Sequence, residues 1–333
     1  MDLDDDGHQD ILSGSWPGEL YLFRGTADGS FAAGEMIKDK DGNLINIGGG
    51  IEERPGGEGL LIRGHAEFER TDEGTFVKYR GKRIKSTPDK PIATTGTAST
   101  VRAVDWDGDG DYDLIVGDIR GNVHLIPNEG TAKSYAFGKD RQLEAAGQPL
   151  RVSSRAGPHP ADWDGDGDLD LLVGAADGSV SLFRNTGSAK SPKLAAAVEI
   201  VAPGEVGYGA DAPKEARRGN RSKVFTADWN GDGRLDLLVG DFATQKPDLP
   251  EPTAEEKAEH ERIRKELEPV REQYSKLIQK LRGRSGGRSR TQEEQEKIYE
   301  EMTKVSRRMS ELRGKLPPEY ERHGWVWLFL RQP

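Results

Sequence analysis

The chain has 333 residues, 34% hydrophobic and 32% charged, so its apolar content is low for one large core. It contains no cysteine, which excludes disulfides, zinc–thiolate sites, iron–sulfur clusters and cysteine nucleophiles. A formal charge of −10 argues against a nucleic-acid partner, and no apolar run reaches the roughly 18 residues of a membrane span.

In chain order, the first feature is an acidic window holding Asp2, Asp4, Asp5, Asp6 and Asp10. The run Ile11-Leu12-Ser13-Gly14 follows, then a stretch at 18–23 that alternates as a half-buried strand does. Residues 31–47 read as an outer strand and hairpin around the Asp41-Gly42 turn signal. Residues 59–85 read as a meander containing Leu60–Arg63 and 76–79, with a turn near Gly81. The whole stretch 48–96 is either an insertion or a degenerate copy of the repeating unit, with 48–59 as a flexible linker. The acidic window then returns twice in full, at Asp105, Asp107, Asp109, Asp111 and Asp113, and at Asp162, Asp164, Asp166, Asp168 and Asp170. A fourth copy holds Asp228, Asn230, Asp232, Arg234 and Asp236. Each is followed by an apolar run closed by glycine, at Gly117, Gly174 and Gly240, and by an alternating strand. In the fourth copy that strand, at 324–329, is displaced beyond residues 251–316.

The displaced segment has helical periodicity. Ile263, Leu267, Val270, Tyr274, Leu277 and Leu281 form one heptad seam; Ile298, Met302, Val305, Met309 and Leu312 form another. Thr253…Glu256 and Thr291…Glu294 are capping boxes, and Gly283 and Gly314 are stops. The expectation is an antiparallel helical hairpin of coiled-coil type at 251–316, kinked at Pro269. Arg282, Arg284, Arg288 and Arg290 make its tip basic, which reads first as a solvated loop. Because the acidic loop precedes the second strand of the unit and the hairpin follows it, the two should leave opposite faces.

The four windows share the pattern D-x-[DN]-x-D-G-x-x-D and hold 18 of the 58 acidic residues; without them the chain would be net basic. Carboxylates at positions 1, 3 and 5 of a tight loop, a glycine at 6, a backbone carbonyl at 7 and an aspartate at 9 suit Ca²⁺, which takes six to eight oxygens. Crowding them without a cation would strongly perturb their ionisation. An EF-hand is excluded, because it needs Glu at position 12, where Ser13, Val116, Val173 and Val239 stand. The expected ligands are Asp2, Asp4, Asp6 and Asp10; Asp105, Asp107, Asp109 and Asp113; Asp162, Asp164, Asp166 and Asp170; and Asp228, Asn230, Asp232 and Asp236. His8, Asp111, Asp168 and Arg234 would contribute backbone carbonyls. Up to four Ca²⁺ are expected, the fourth held more weakly because Asn230 and Arg234 depart from the pattern.

The sequences DWDGDGDYDLIVGD and DWDGDGDLDLLVGA resemble FG-GAP/VCBS repeats, the calcium-loop blades of integrin-α-type propellers. The resemblance covers 1–245 loosely and the four loops closely. It implies an all-β fold, a β-propeller whose blades bind calcium between their first and second strands, here with blades over 1–250, the helical hairpin inserted at 251–316 and the returning strand at 317–333. It also implies kinship with bacterial secreted or surface proteins of adhesion and carbohydrate association.

No catalytic constellation is visible. His8, His65, His124, His159, His260 and His323 are scattered, and neither a nucleophile elbow nor a phosphate loop occurs. Trp106, Trp163 and Trp229 share loop position 2, where repeat one has Leu3, and are expected to pack between blades. Trp16, Trp325 and Trp327 are freer, the last two by default packing at a sheet edge. The expected function is a non-enzymatic, calcium-stabilised scaffold that recognises a protein or glycan ligand at the cell surface, in the periplasm or outside the cell. The alternative is an ancillary or catalytic propeller of a polysaccharide-acting enzyme. The ragged first and last units read as a fragment of a longer protein.

Overall fold

The computed structural model describes residues 1–54, 59–87, 89–282 and 292–332. The chain divides into two compact units. One comprises Met1–Gly207, Glu215–Thr244 and Arg322–Pro333; the other comprises Tyr208–Lys214 and Gln245–Glu321.

In the larger unit four sheets repeat one antiparallel plan. The first contains β1 (Ile11–Gly14), β2 (Leu20–Phe23) and β3 (Glu35–Met36). Between it and the second lie β4 (Gly50–Glu53), β5 (Leu60–Arg63), β6 (Glu67–Thr71), β7 (Gly74–Tyr79), β8 (Lys82–Ser86) and β9 (Ile92–Thr95). The second repeat sheet is β10 (Thr100–Val104), β11 (Asp113–Gly117), β12 (Val123–Ile126) and β13 (Arg141–Gln142), followed by the ribbon β14 (Glu144–Ala145) and β15 (Gln148–Pro149). The third is β16 (Gly157–Ala161), β17 (Asp170–Gly174), β18 (Val180–Phe183) and β19 (Val198–Val201). The fourth has β20 (Asn220–Ala227) and β21 (Asp236–Gln245), with β22 (Glu321–His323) and β23 (Val326–Phe329) both paired to β21.

The segment 50–95 differs from the single meander expected for 59–85. Leu60–Arg63 belongs to one sheet, in which β5 pairs antiparallel with β4 and parallel with β9. The meander β6-β7-β8 is a separate sheet. With both edges of β5 taken, it has none left for β7.

The apolar runs of β11 and β17 are buried at every residue because each lies between two other sheets. Side chains alternate across a strand. Leu114 and Val116 therefore join the core shared with Leu20 and Leu22, while Ile115 joins the core shared with Leu171 and Val173. Leu172 then faces Val224, Leu237 and Val239 of the fourth sheet. Loop position 2 follows the same direction of packing. Leu3 and Trp106 are buried in successive cores and Trp163 packs on the third. Trp229 departs from the expectation and is 62% exposed, because among the described residues no further repeat sheet packs on its side.

Neighbouring sheets are also joined through the backbone. The amides of Ser99, Ala156 and Ser222 donate to the carbonyls of Ser15, Asp118 and Ala175 at 3.1, 3.0 and 3.0 Å. Those of Ala98, Arg155 and Arg221 donate to Trp16, Ile119 and Ala176 at 2.9, 3.0 and 3.0 Å. The glycine that closes each apolar run makes this approach possible. A Cβ on Gly14, Gly117 or Gly174 would lie 2.2, 2.2 or 2.4 Å from the carbonyl oxygen of Ser99, Ala156 or Ser222. At Gly240 the nearest atom would be 3.8 Å away.

The smaller unit contains α1 (Ala254–Arg282) and α2 (Gln292–Arg313). Thr253 caps α1 reciprocally: its amide donates to Glu256 Oε2 at 2.7 Å and its hydroxyl accepts from the Glu256 amide at 3.2 Å. Ile263, Leu267 and Leu312 are buried together, with Val270 and Met309 against them, and Leu277 and Val305 are buried further along. Ile263 and Leu267 in the first half of α1 pack on Met309 and Leu312 in the last turns of α2, and Glu266 pairs with Arg308, so the helices run antiparallel. The helix α1 runs unbroken through Pro269. Gly314 follows α2 and its amide donates to Ser310 O at 2.9 Å. Gly283, Arg284, Arg288, Arg290 and the Thr291 cap lie outside the described residues, as does the side chain of Arg282. No helix among the described residues is long and apolar enough to cross a membrane.

Two measurements follow. Gly117→Ala drives a methyl into a carbonyl and should cost about 1–3 kcal/mol, whereas Gly240→Ala should stay within about 0.5 kcal/mol; urea unfolding separates them. His124 on β12 lies 3.7 Å from Asp118 Oδ2 and 3.3 Å from Asp140 Oδ2. Burial opposes its charge, but the two carboxylates prevail and raise its pKa to about 9. The stabilisation is complete below the unfolded value of about 6.5 and is lost as pH rises through the folded one. His124→Gln should therefore lower Tm strongly at neutral pH and little at strongly alkaline pH.

Candidate metal centre

The four acidic loops share a set of hydrogen bonds that follows from their residue pattern. The position 1 carboxylate accepts the amides of positions 5 and 6. Asp2 takes Asp6 and Gly7 at 3.0 and 2.8 Å. Asp105 takes Asp109 and Gly110, both at 3.1 Å. Asp162 takes Asp166 and Gly167, both at 3.1 Å. Asp228 takes Asp232 and Gly233, both at 3.0 Å. The glycine at position 6 is required by the backbone: φ is +91°, +95°, +91° and +83° at Gly7, Gly110, Gly167 and Gly233. The position 5 carboxylate accepts the amide of position 7, at His8, Asp111, Asp168 and Arg234, over 2.8, 3.1, 2.9 and 3.0 Å.

Position 9 is buried in all four repeats, at Asp10, Asp113, Asp170 and Asp236. One oxygen accepts the amide of position 2, from Leu3, Trp106, Trp163 and Trp229 at 2.9, 3.1, 3.1 and 3.1 Å. The other accepts an amide just beyond the third strand, from Gly25, Asn128, Asn185 and Arg331 at 2.8, 2.7, 2.7 and 2.8 Å. This aspartate is thus a backbone tie as well as a candidate ligand, each oxygen keeping a second lone pair.

Three of the loops bring three carboxylates together. Asp2, Asp4 and Asp10 have oxygens within 4.8 Å of one another, as do Asp105, Asp107 and Asp109, and Asp162, Asp164 and Asp166. These groups could hold a metal ion. Asp6 stands outside the first group, whose third member is the position 9 Asp10.

Neighbouring cations set the loops apart. Asp4 is paired with Arg24, and Arg184 Nη1 lies 3.7 Å from Asp164. Both arginines directly follow the third strand, a signal present in Leu22-Phe23-Arg24 and Leu182-Phe183-Arg184 that the sequence reading missed. In the fourth loop Arg234 turns its guanidinium onto Asp232 at 2.9 Å, and Asn230 Nδ2 donates to the same oxygen at 3.1 Å. That loop carries its own cation. The second loop has no ion pair among the described residues. Burial, then the charge of Asp109, raises the pKa of both Asp107 and Asp111. Burial also pushes Asp113 up to about 6 against its amide donors. The Oδ1 atoms of Asp107 and Asp111, like that of Asp4, are buried without a hydrogen-bond partner. The side chain of Asp111 is therefore turned inward, where the pattern alone had assigned only its carbonyl. Partnerless carboxylate oxygens beside like charges fit a hard divalent cation with oxygen preference.

A family model described as FG-GAP-like repeat matches residues 105–173 and 162–239. The chain carries FG-GAP-like repeats. The matched spans contain the second, third and fourth acidic loops, and the fold is that of β-propeller blades, with two helices following the matched spans in the chain. No curated protein matches the sequence. Among solved structures, it is similar to a Tc holotoxin pore of Photorhabdus luminescens, with 20% identity over 72% of this chain and 10% of that chain and a TM-score of 0.31. An Agrocybe aegerita lectin that recognises non-reducing terminal N-acetylglucosamine matches with 19% identity over 70% of this chain and 57% of that chain, TM-score 0.31. A periplasmic gluconolactonase of Pseudomonas aeruginosa matches with 17% identity over 72% and 64%, TM-score 0.30. The chain spans less than two thirds of the length of each.

The loop geometry separates two kinds of aspartate. In metal-free buffer Asp170→Asn replaces one acceptor by a donor facing an amide and should cost about 1.5–3 kcal/mol. Asp107→Asn keeps an acceptor oxygen for the backbone while relieving repulsion from Asp109 and Asp105, and should leave metal-free stability unchanged or slightly higher, measured by chemical denaturation.

Proposed function

We propose that this chain is a calcium-stabilised propeller scaffold that recognises a protein or carbohydrate ligand at the cell surface or outside the cell, without catalysis of its own. The observation that carries the reading is the three-carboxylate groups, with partnerless buried oxygens at Asp4 and Asp107 within them and at Asp111 in the same loop as the second. Calcium would be held at Asp2, Asp4 and Asp10, at Asp105, Asp107 and Asp109, and at Asp162, Asp164 and Asp166; it would supply positive charge and oxygen coordination. At the fourth loop Arg234 takes over part of that role.

Extracellular calcium modules bind with Kd of about 10⁻⁴–10⁻³ M, so they fill at millimolar calcium and stay empty in cytosol. Tenfold saturation adds roughly 1.4 kcal/mol per site, or about 4 kcal/mol over three sites, a large part of the typical 5–15 kcal/mol of a folded protein. The assignment to a non-catalytic role is supported by how the buried titratable groups are used. His124 is clamped between Asp118 and Asp140, His159 Nε2 is 3.0 Å from Thr226 Oγ1, and the position 9 aspartates tie backbone.

Thermal unfolding in EGTA, Ca²⁺ and Mg²⁺ tests the calcium. Ca²⁺ should raise Tm by many degrees, Mg²⁺ much less, and Asp107→Asn should remove a large share of the Ca²⁺ increment. Equal curves in EGTA and Ca²⁺ would refute the reading.

A further inference from the structure

A cavity of about 310 Å³ opens where the first strands of the repeat sheets begin, and its lining includes Trp16, Ser99, Arg155, Arg221 and Lys223. The strands β10, β16 and β20 start beside it and lead, at their other ends, into the acidic loops at Asp105, Asp162 and Asp228. Cavity and metal loops therefore sit at opposite ends of the same strands. The volume falls at the lower end of small-ligand sites, about 300–1,000 Å³.

The charge of this cavity runs against that of the chain. Among the described residues no acidic residue lines it. Arg102 on β10 adds a further cation close enough, with Arg155, to act on Lys223: burial first and then these two arginines lower the lysine's pKa. None of Arg102, Arg155, Arg221 and Lys223 forms an ion pair among the described residues, although the chain carries a surplus of acids. Grouped, unpaired like charges repel unless an anion joins them.

Two of these cations also occupy costly backbone. Arg155 and Arg221, with Ala98 in the corresponding position, have φ of +51°, +59° and +49°. Glycine or asparagine would adopt the left-handed region more cheaply. The junction between sheets fixes the conformation, and in two of three copies the residue placed there is arginine.

Trp16 supplies a flat apolar surface at the same cavity. It is 57% exposed, and its carbonyl is used in the sheet junction while its indole lies against Gly96, where a Cβ would come within 2.5 Å of Nε1. Aromatic faces next to cationic groups suit a ring that has one apolar face and bears an oxyanion.

We infer that this cavity binds an acidic saccharide unit, a sugar ring bearing a carboxylate or a sulfate, with the ring on Trp16 and the oxyanion among Arg155, Arg221 and Lys223. The inference narrows the recognition role proposed above to one glycan class and is independent of calcium.

The test is calorimetric titration of the full chain, in EGTA and in Ca²⁺, with digalacturonate, a sulfated disaccharide, a neutral disaccharide and inorganic sulfate. One of the acidic disaccharides should bind, the neutral one should not, and which acid binds tells carboxylate from sulfate. Lys223→Gln and Arg221→Gln should each weaken binding about tenfold or more while keeping the native circular dichroism spectrum. Trp16→Ala should abolish the preference for the acidic sugar over inorganic sulfate. Absence of heat with both acids, equal binding of the neutral sugar, or binding unchanged in both cation variants would overturn the inference. Loss of the calcium effect on Tm with acidic-sugar binding intact would overturn the calcium reading alone.

Discussion

The buried aspartate that ends each acidic loop is the constraint on which the repeats depend. Its two oxygens are held by amides from opposite parts of the unit, one at the start of the loop and one beyond the third strand. A carboxylate at that depth is stable only with such donors. The loop is thereby shaped by the protein itself, and three carboxylates are brought together in each of the first three loops, at positions 1, 3 and 5 in the second and third. The arrangement concentrates the cost of crowding on a few side chains, most of all in the second loop, where no arginine relieves it.

The second organising element is the glycine that closes each apolar run. At Gly14, Gly117 and Gly174 the missing Cβ lets the next sheet's first strand lie directly on the previous one, and the paired amides at Ser99, Ala156 and Ser222 then repeat the same junction. The alternation within β11 and β17 distributes side chains to both neighbouring cores. One short sequence, aspartate followed by three apolar residues and glycine, thus encodes the loop tie, the two-faced burial and the sheet junction together.

Much of this was legible beforehand because it is local and repeated. The loop pattern, the two-residue alternation and the heptad steps from Ile263 to Leu277 each state a geometry within a few residues. What escaped the sequence reading depends on contacts between distant segments. That Trp106 is buried and Trp229 exposed is decided by which sheet packs beside them. The pairing of β5 with β9 in parallel has no local signature. Arg24 and Arg184 reach their aspartates from the far end of the next hairpin, and the inward turn of Asp111 reflects the shape of a loop. The cations around Trp16 come from the turn before β16 and from the start of β20, and converge only after folding.

The placement of the helices bears on how the last repeat assembles. In the second and third repeats a tight turn joins the second and third strands, so their pairing is a local event. In the fourth, Gly240 must find Val326 across the whole of α1 and α2. Closing a loop of that length costs entropy and slows the search. Two antiparallel helices return the chain to its starting point, as the contact of Glu266 with Arg308 shows. Once they have folded, the strands they separate are joined through a few residues at each helix base, and a distant pairing has become a near one.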